Sequence, residues 1–156
     1  MKIISWNVNG IRACHKKGLV DFVQKENPDI FCVQETKAHV DQVELEARQL
    51  HRPYAYWSSA IRKGYSGVAT FLTNEPKDVK HGLGIQQYDS EGRIVMTEHP
   101  HFDLYNIYFP NGGSGDERHN FKQQFLKDLN VHLKEKLNAG REVIVVGDYN
   151  LSLIHI

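Results

Sequence analysis

The chain has 156 residues, the size of one ordinary domain, and its balance of 40% hydrophobic to 24% charged residues allows a buried core. Nineteen Lys and Arg against nineteen Asp and Glu give zero formal charge, which excludes a polycationic nucleic-acid coat and a membrane-surface protein, so any phosphate-binding site must be local. No apolar stretch approaches the ~20 residues that span a bilayer. Met1 to Trp6 reaches polar Asn7 too soon for a signal peptide, and Cys14 and Cys32 are too few for a disulfide framework, so the expected setting is reducing and cytoplasmic.

In chain order, residues 2–8 alternate loosely and meet Asn9-Gly10, which predicts a strand ending in a sharp turn. Leu19, Val20, Phe22 and Val23 fit one helix face over 19–25, stopped by Asn27-Pro28. Residues 29–34 form a second buried strand holding Cys32 as core, with Glu35 at its end. Residues 40–50 are charged and weakly periodic, a solvent-facing helix. Strands follow at 54–57, 67–73, 93–98 and 102–109, separated by turns at Lys63-Gly64, Asn74-Glu75-Pro76, Ser90-Glu91-Gly92 and Pro110-Asn111-Gly112-Gly113. Strands joined this tightly imply an antiparallel or mixed sheet. Phe121, Phe125, Leu126, Leu129, Leu133 and Leu137 recur at helical spacing, and Asn138-Ala139-Gly140 stops that helix. Val143-Ile144-Val145-Val146 reads as a strand buried on both faces, and Gly147 then turns the backbone toward Asp148.

Polar residues gather where strands end: Asn7, Glu35, Asn111, Asp148 and Asn150. Loops at strand ends are where a rigid sheet presents functional groups. Asp148 and Asn150, two apart, share one side of an extended backbone and suit a site that orients water or a metal. Taken singly, each has a plainer reading: Asn9, Asn111 and Asn150 as turn formers and Glu35 as a solvated strand end.

Five motifs in order carry a resemblance. Ser5-Trp6-Asn7-Val8-Asn9-Gly10-Ile11-Arg12-Ala13, Gln34-Glu35-Thr36-Lys37, Gly64-Tyr65-Ser66-Gly67-Val68, Tyr108-Phe109-Pro110-Asn111 and Gly147-Asp148-Tyr149-Asn150 resemble the exonuclease III and apurinic/apyrimidinic endonuclease family. The resemblance implies the four-layered α/β sandwich of the deoxyribonuclease I-like superfamily (endonuclease/exonuclease/phosphatase), here truncated to about its first half to two thirds. It also implies Mg²⁺-dependent hydrolysis, with Mn²⁺ as a substitute, of double-stranded DNA at abasic sites and 3′ ends, by a full-length monomer.

Carried over by position, Glu35 resembles the metal ligand with Asn7 beside it, one carboxylate and an amide oxygen being reasonable for a hard cation. Asp148 resembles the aspartate that activates or orients the attacking water, Asn150 its neighbour, and Tyr108 with Asn111 a phosphate-proximal pair. Lys37 resembles a lysine near the metal carboxylate, its plain reading being an exposed lysine. Arg12, Tyr65, Arg118 and Lys122 match DNA-contact positions and hold phosphate without reading sequence; for Lys122 a solvated helix face is an equal reading. Asn9 stands where some relatives have Asp, and Ser114 where some insert an arginine. His99-Pro100-His101 is read as a strand-connecting turn, not a metal site.

The competing readings are another phosphodiesterase of the superfamily and a non-catalytic DNA-binding remnant. The motifs at residues 5–13 and 64–68 favour the DNA-repair branch. The organisation expected is a partial domain at 1–150 and a non-native tail at 151–156, in which His155 takes no catalytic role. A half sandwich is expected to bare the inner face of its sheet, and so to be aggregation-prone and inactive alone.

Overall fold

The computed structural model describes residues 1–151, so the tail expectation, Leu151 excepted, lies outside the described residues. Two four-stranded mixed sheets face each other. The first has the order β1-β2-β4-β3, from β1 (Ile3–Asn7), β2 (Ile30–Gln34), β3 (Tyr54–Ser58) and β4 (Val68–Leu72). The second has the order β5-β6-β7-β8, from β5 (Asp78–Lys80), β6 (Ile94–Glu98), β7 (Phe102–Tyr108) and β8 (Glu142–Asp148). In each sheet the pair that reaches the site is parallel, β1 with β2 and β7 with β8. Every other pairing is antiparallel.

Side chains alternate across a strand, and the buried strands use both faces. Phe31 and Val33 of β2 pack outward against α1 (Ile11–His15), α2 (Leu19–Glu26) and α3 (Leu45–Gln49). Ile30 and Cys32 turn inward to meet Leu104 of β7. On the far side, Ile94, Met96, Tyr105 and Ile107 pack beneath α4 (Gln86–Asp89) and α5 (Asp116–Asn138) through Tyr88, Phe125 and Leu129. The layers run helix, sheet, sheet, helix, the expected four-layered α/β sandwich. Among the described residues no helix is long and apolar enough to cross a membrane.

Several expectations need correction. The inner sheet faces cover each other through the cluster around Ile30, Cys32, Leu72 and Leu104 and are not bare. Val143-Ile144-Val145-Val146 is only half-buried, because among the described residues β8 is an edge strand. Residues 40–50 divide into a 3-10 turn at Val40–Gln42 and α3, and bury Val43, Ala47 and Leu50 against the first sheet instead of facing solvent. α1, α4 and β5 carry too few residues for a periodic signal. His99-Pro100-His101 is the β6–β7 turn, with the His99 ring stacked on Phe102 at 4.7 Å.

One polar bridge crosses the dry layer between the sheets. Asn106 of β7 is fully buried, and its amide nitrogen donates to the carbonyls of Ala69 at 2.9 Å and Val33 at 3.3 Å and to Thr70 Oγ1 at 3.1 Å. Its oxygen accepts from the buried Gln34 amide at 2.7 Å, and Gln34 also donates to Ser5 Oγ at 3.0 Å. Elsewhere, buried Asp103 ties β7 to the end of α5. Its Oδ2 lies 2.9 Å from Lys136 Nζ, and its Oδ1 accepts from Arg141 at 2.7 and 3.1 Å.

Asn106→Ala leaves one hydrogen of the buried Gln34 amide without its acceptor, at ~1–3 kcal/mol, so denaturant unfolding at pH 7 should show a loss of about 1–3 kcal/mol. A loss below about 0.5 kcal/mol, the range of a neutral surface change, would mean the bridge is idle. For Asp103, burial pushes the carboxyl up, but hydrogen bonds and charge from Lys136 and Arg141 outweigh it and leave the pKa lowered. Its contribution to stability is therefore present above the unfolded value near ~3.9 and is lost as pH falls through the lower folded value. Asp103→Asn should lower stability at pH 7, by removing the buried carboxylate that Lys136 and Arg141 share. It should also flatten the acid limb of a stability–pH curve below about pH 4, and an unchanged limb would contradict the assignment.

Candidate active site

The parallel registers set the site. Asn7 lies opposite Gln34, which brings Asn7 beside Glu35, the residue after β2. Tyr108 lies opposite Asp148 at the shared end of β7 and β8. Gly147 (φ +143°) makes that end possible, since a Cβ there would overlap the carbonyl oxygen of Ile107.

One amide joins the two sheets at this point. The Asn7 side-chain nitrogen donates to Glu35 Oε1 at 2.9 Å and to Asp148 Oδ2 at 2.6 Å. Its oxygen accepts the Asn9 N–H at 2.9 Å, so in this arrangement the nitrogen, not the oxygen, faces both carboxylates. Lys37 Nζ lies 2.9 Å from Glu35 Oε2 and is hydrogen-bonded to Asn9 Oδ1. The other oxygen of Asp148 accepts the Asn150 N–H at 2.8 Å, and the Asn150 amide donates to the Phe109 carbonyl at 2.6 Å.

These contacts set protonation. Burial pushes the Glu35 carboxyl up, but hydrogen bonds from Asn7, Lys37 and Tyr108 and the charge of Lys37 outweigh it, leaving the group below the usual glutamate range and ionised. Burial also pushes Tyr108 up to about 12; a hydrogen bond with Asn150 opposes this, and the charge of Glu35 adds to it. The phenol therefore keeps its proton through neutral pH.

Among the described residues no group of three or more His, Cys, Asp or Glu could hold a metal. The two carboxylates, Glu35 and Asp148, form a sparse oxygen set. That set is wrong for zinc and right for a hard cation that keeps several of its waters.

The remaining candidates divide. Arg12 is exposed and lines an open cavity of about 520 Å³ with Lys16, Lys37 and Gly64. Tyr65 and Arg118 line another of about 580 Å³ with Arg62 and Ser114. Asn111 is exposed and its amide oxygen accepts the Gly113 N–H at 2.8 Å, a turn contact outside the carboxylate group. Lys122 points neither to solvent nor to a phosphate surface. It is 7% exposed, and its Nζ donates to the carbonyls of Tyr149 at 3.2 Å and Asn150 at 2.7 Å, clamping the segment after Asp148 to α5. Sequence reasoning missed Glu91 and Arg93, which meet Tyr65, Tyr108 and Arg118; a glutamate in a turn and an arginine at a strand's start give no signal that sets them apart from surface.

The Endonuclease/Exonuclease/phosphatase family profile matches residues 4–156. The chain is 39% identical to the exodeoxyribonuclease of Bacillus subtilis (strain 168), over 97% of this chain and 59% of that protein. It is 38% identical to the DNA repair nuclease APEX1 of Danio rerio, over 97% of this chain and 49% of that protein. The catalytic domain of Xenopus laevis APE2 superposes with a TM-score of 0.84 at 32% identity, covering 97% of this chain and 59% of that one. The chain thus spans about half the length of the curated relatives it matches.

Lys122→Met removes the donor from two carbonyls and should cost about 1–3 kcal/mol in a urea melt. A lysine serving only as a surface phosphate contact would change stability by less than about 0.5 kcal/mol, and that result would refute the clamp.

Proposed function

The chain belongs to the Endonuclease/Exonuclease/phosphatase family, and from that premise we propose that it forms part of a metal-dependent DNA-repair nuclease that hydrolyses phosphodiesters of double-stranded DNA at abasic sites and 3′ ends. The observation that carries the proposal is the Asn7 amide, which holds Glu35 and Asp148 side by side although they arrive on different sheets. In-line attack at phosphorus needs an oriented water on one side and charge compensation on the other. Asp148 has one oxygen on Asn7 and one on Asn150, so its direction is fixed before substrate binds, as an oriented base requires. Glu35, ionised and only part-exposed, is the group that would hold Mg²⁺ or Mn²⁺, with Asn7 beside it. When bound, that cation supplies charge compensation at the scissile phosphate. Tyr108, protonated through neutral pH, offers a hydrogen bond and adds no charge to an already acidic site. Arg12 and Arg118 give the local cationic contacts that a chain of zero net charge needs to hold a duplex, and Tyr65 adds a neutral hydroxyl contact.

The test joins this chain to the portion of the Bacillus subtilis exodeoxyribonuclease beyond its match and supplies an abasic-site duplex with Mg²⁺. Strand cleavage is expected, abolished by EDTA and reduced about 10²- to 10⁴-fold by Asp148→Asn. Salt-dependent duplex binding without cleavage, from a cooperatively melting protein, would refute the catalytic reading and leave a DNA-binding role.

A further inference from the structure

Behind the carboxylate site lies a second charged cluster with no part in the chemistry above. Arg93 is 1% exposed, and a guanidinium that deep must have its donors and charge matched. Its Nε donates to Glu91 Oε2 at 2.6 Å, one terminal nitrogen to the Tyr108 carbonyl at 3.0 Å, and the other to the Tyr65 hydroxyl at 2.9 Å. The guanidinium carbon also sits 5.1 Å from the centre of the Tyr108 ring and 5.8 Å from that of Tyr65.

Glu91 serves two cations. Its Oε1 and Oε2 accept from Arg118 at 3.0 and 3.3 Å, a bidentate pair, while Arg118 also reaches the Tyr65 hydroxyl at 3.3 Å and stacks over Phe121 at 4.2 Å. The turn that presents Glu91 packs directly on the Ser59–Ala60 backbone, which a Cβ at Gly92 (φ +60°) would overlap. Two arginines against one carboxylate leave the cluster cationic, and Arg118 and Tyr65 are its members at the open cavity.

We propose that Glu91 and Arg93 are positioning residues that hold Tyr65, Arg118 and Tyr108 as one preformed unit, so that a duplex contacting the first two meets a catalytic tyrosine already in place. The proposal rests on the DNA reading above in treating Tyr65 and Arg118 as backbone contacts. Side chains ordered before binding spare the complex that ordering cost, which for two of them is worth about tenfold in affinity. Arg93→Lys keeps the charge and discards the planar fork, so it removes alignment without removing a cation.

The 156-residue chain is titrated into a fluorescent duplex, with anisotropy as readout, as wild type, Arg93→Lys, Tyr65→Phe/Arg118→Ala, and the combination. Arg93→Lys should weaken binding about tenfold in the wild-type background and less than about twofold once Tyr65 and Arg118 are altered, the non-additivity expected of residues acting as a unit. Equal losses in both backgrounds would mean a general structural role and overturn the proposal. A second readout needs no DNA: guanidinium resonances of Arg118 should show hindered rotation in the wild type and free rotation in Glu91→Gln, with thermal melts confirming that each protein is folded. A freely rotating Arg118 in the wild type overturns the proposal. If the wild type binds no duplex, the reading of Tyr65 and Arg118 as backbone contacts of this chain fails, while the resonances alone decide whether the unit is preformed.

Discussion

The site depends on the carboxamide of Asn106, which passes from one sheet into the other. Two apolar sheet faces in contact can slide and repack at small cost, because hydrophobic contact is non-directional. A buried amide bound to two backbone carbonyls, a hydroxyl and a second amide cannot, since each misregistered arrangement leaves polar groups unpaired in a dry layer. Gln34, its partner, directly precedes Glu35, and Asn106 lies two residues before Tyr108 on the same strand. The bridge therefore fixes the separation of the two strand ends that supply the carboxylates, and the Asn7 contacts at 2.6 and 2.9 Å are its consequence at the rim.

Backbone strain is concentrated at that rim. Asn9, Glu35, Lys37 and Asn150 all have left-handed φ, between +45° and +52°, a conformation costly for residues other than glycine. What holds them is a run of main-chain hydrogen bonds: Gly10 N–H to the Glu35 carbonyl at 2.7 Å, Thr36 N–H to Gly67 at 3.0 Å and Lys37 N–H to Ser66 at 2.9 Å. The motifs around residues 7–12, 35–37 and 64–68 are thus three turns stitched into one. Gly67 is required there because a Cβ would overlap the Thr36 hydroxyl. The strain turns the Glu35 and Lys37 side chains to the same place.

How much of this the sequence carried depended on whether the signal was local. Strand positions are local, and β1, β2, β4, β6 and β7 emerge from alternation and turn residues to within a residue or two. Position within a sheet is not local: a β-branched run looks the same at an edge as in the centre, which is why residues 143–146 read as buried on both faces. Around α3 the signal existed, since Val43, Ala47 and Leu50 stand at helical spacing, but surrounding charge obscured it. Asn7, Glu35, Asp148 and Asn150 were read as strand-end polar residues and Tyr108 through the resemblance alone, whereas Asn106 and Arg93 sit within or against strands where polar residues read as solvent-facing. Lys122 shows the same blindness, for nothing in a helix sequence reveals that two carbonyls wait beneath one of its lysines.

Tyr108 is where the two charge systems meet, and its two ends belong to different ones. Its carbonyl and ring face are held by Arg93, while its phenol, kept neutral by burial and by Glu35, reaches the carboxylate side. A neutral group suits this position. A phenolate would repel Glu35 and Asp148, and a second cation there would compete with Lys37 for Glu35 and with any metal for the same oxygens. A neutral donor instead stabilises the ionised carboxylate and leaves its charge available. The cationic cluster thus stops one residue's length from the carboxylates, close enough to fix geometry and buffered by an uncharged side chain from cancelling the charge on which the site depends.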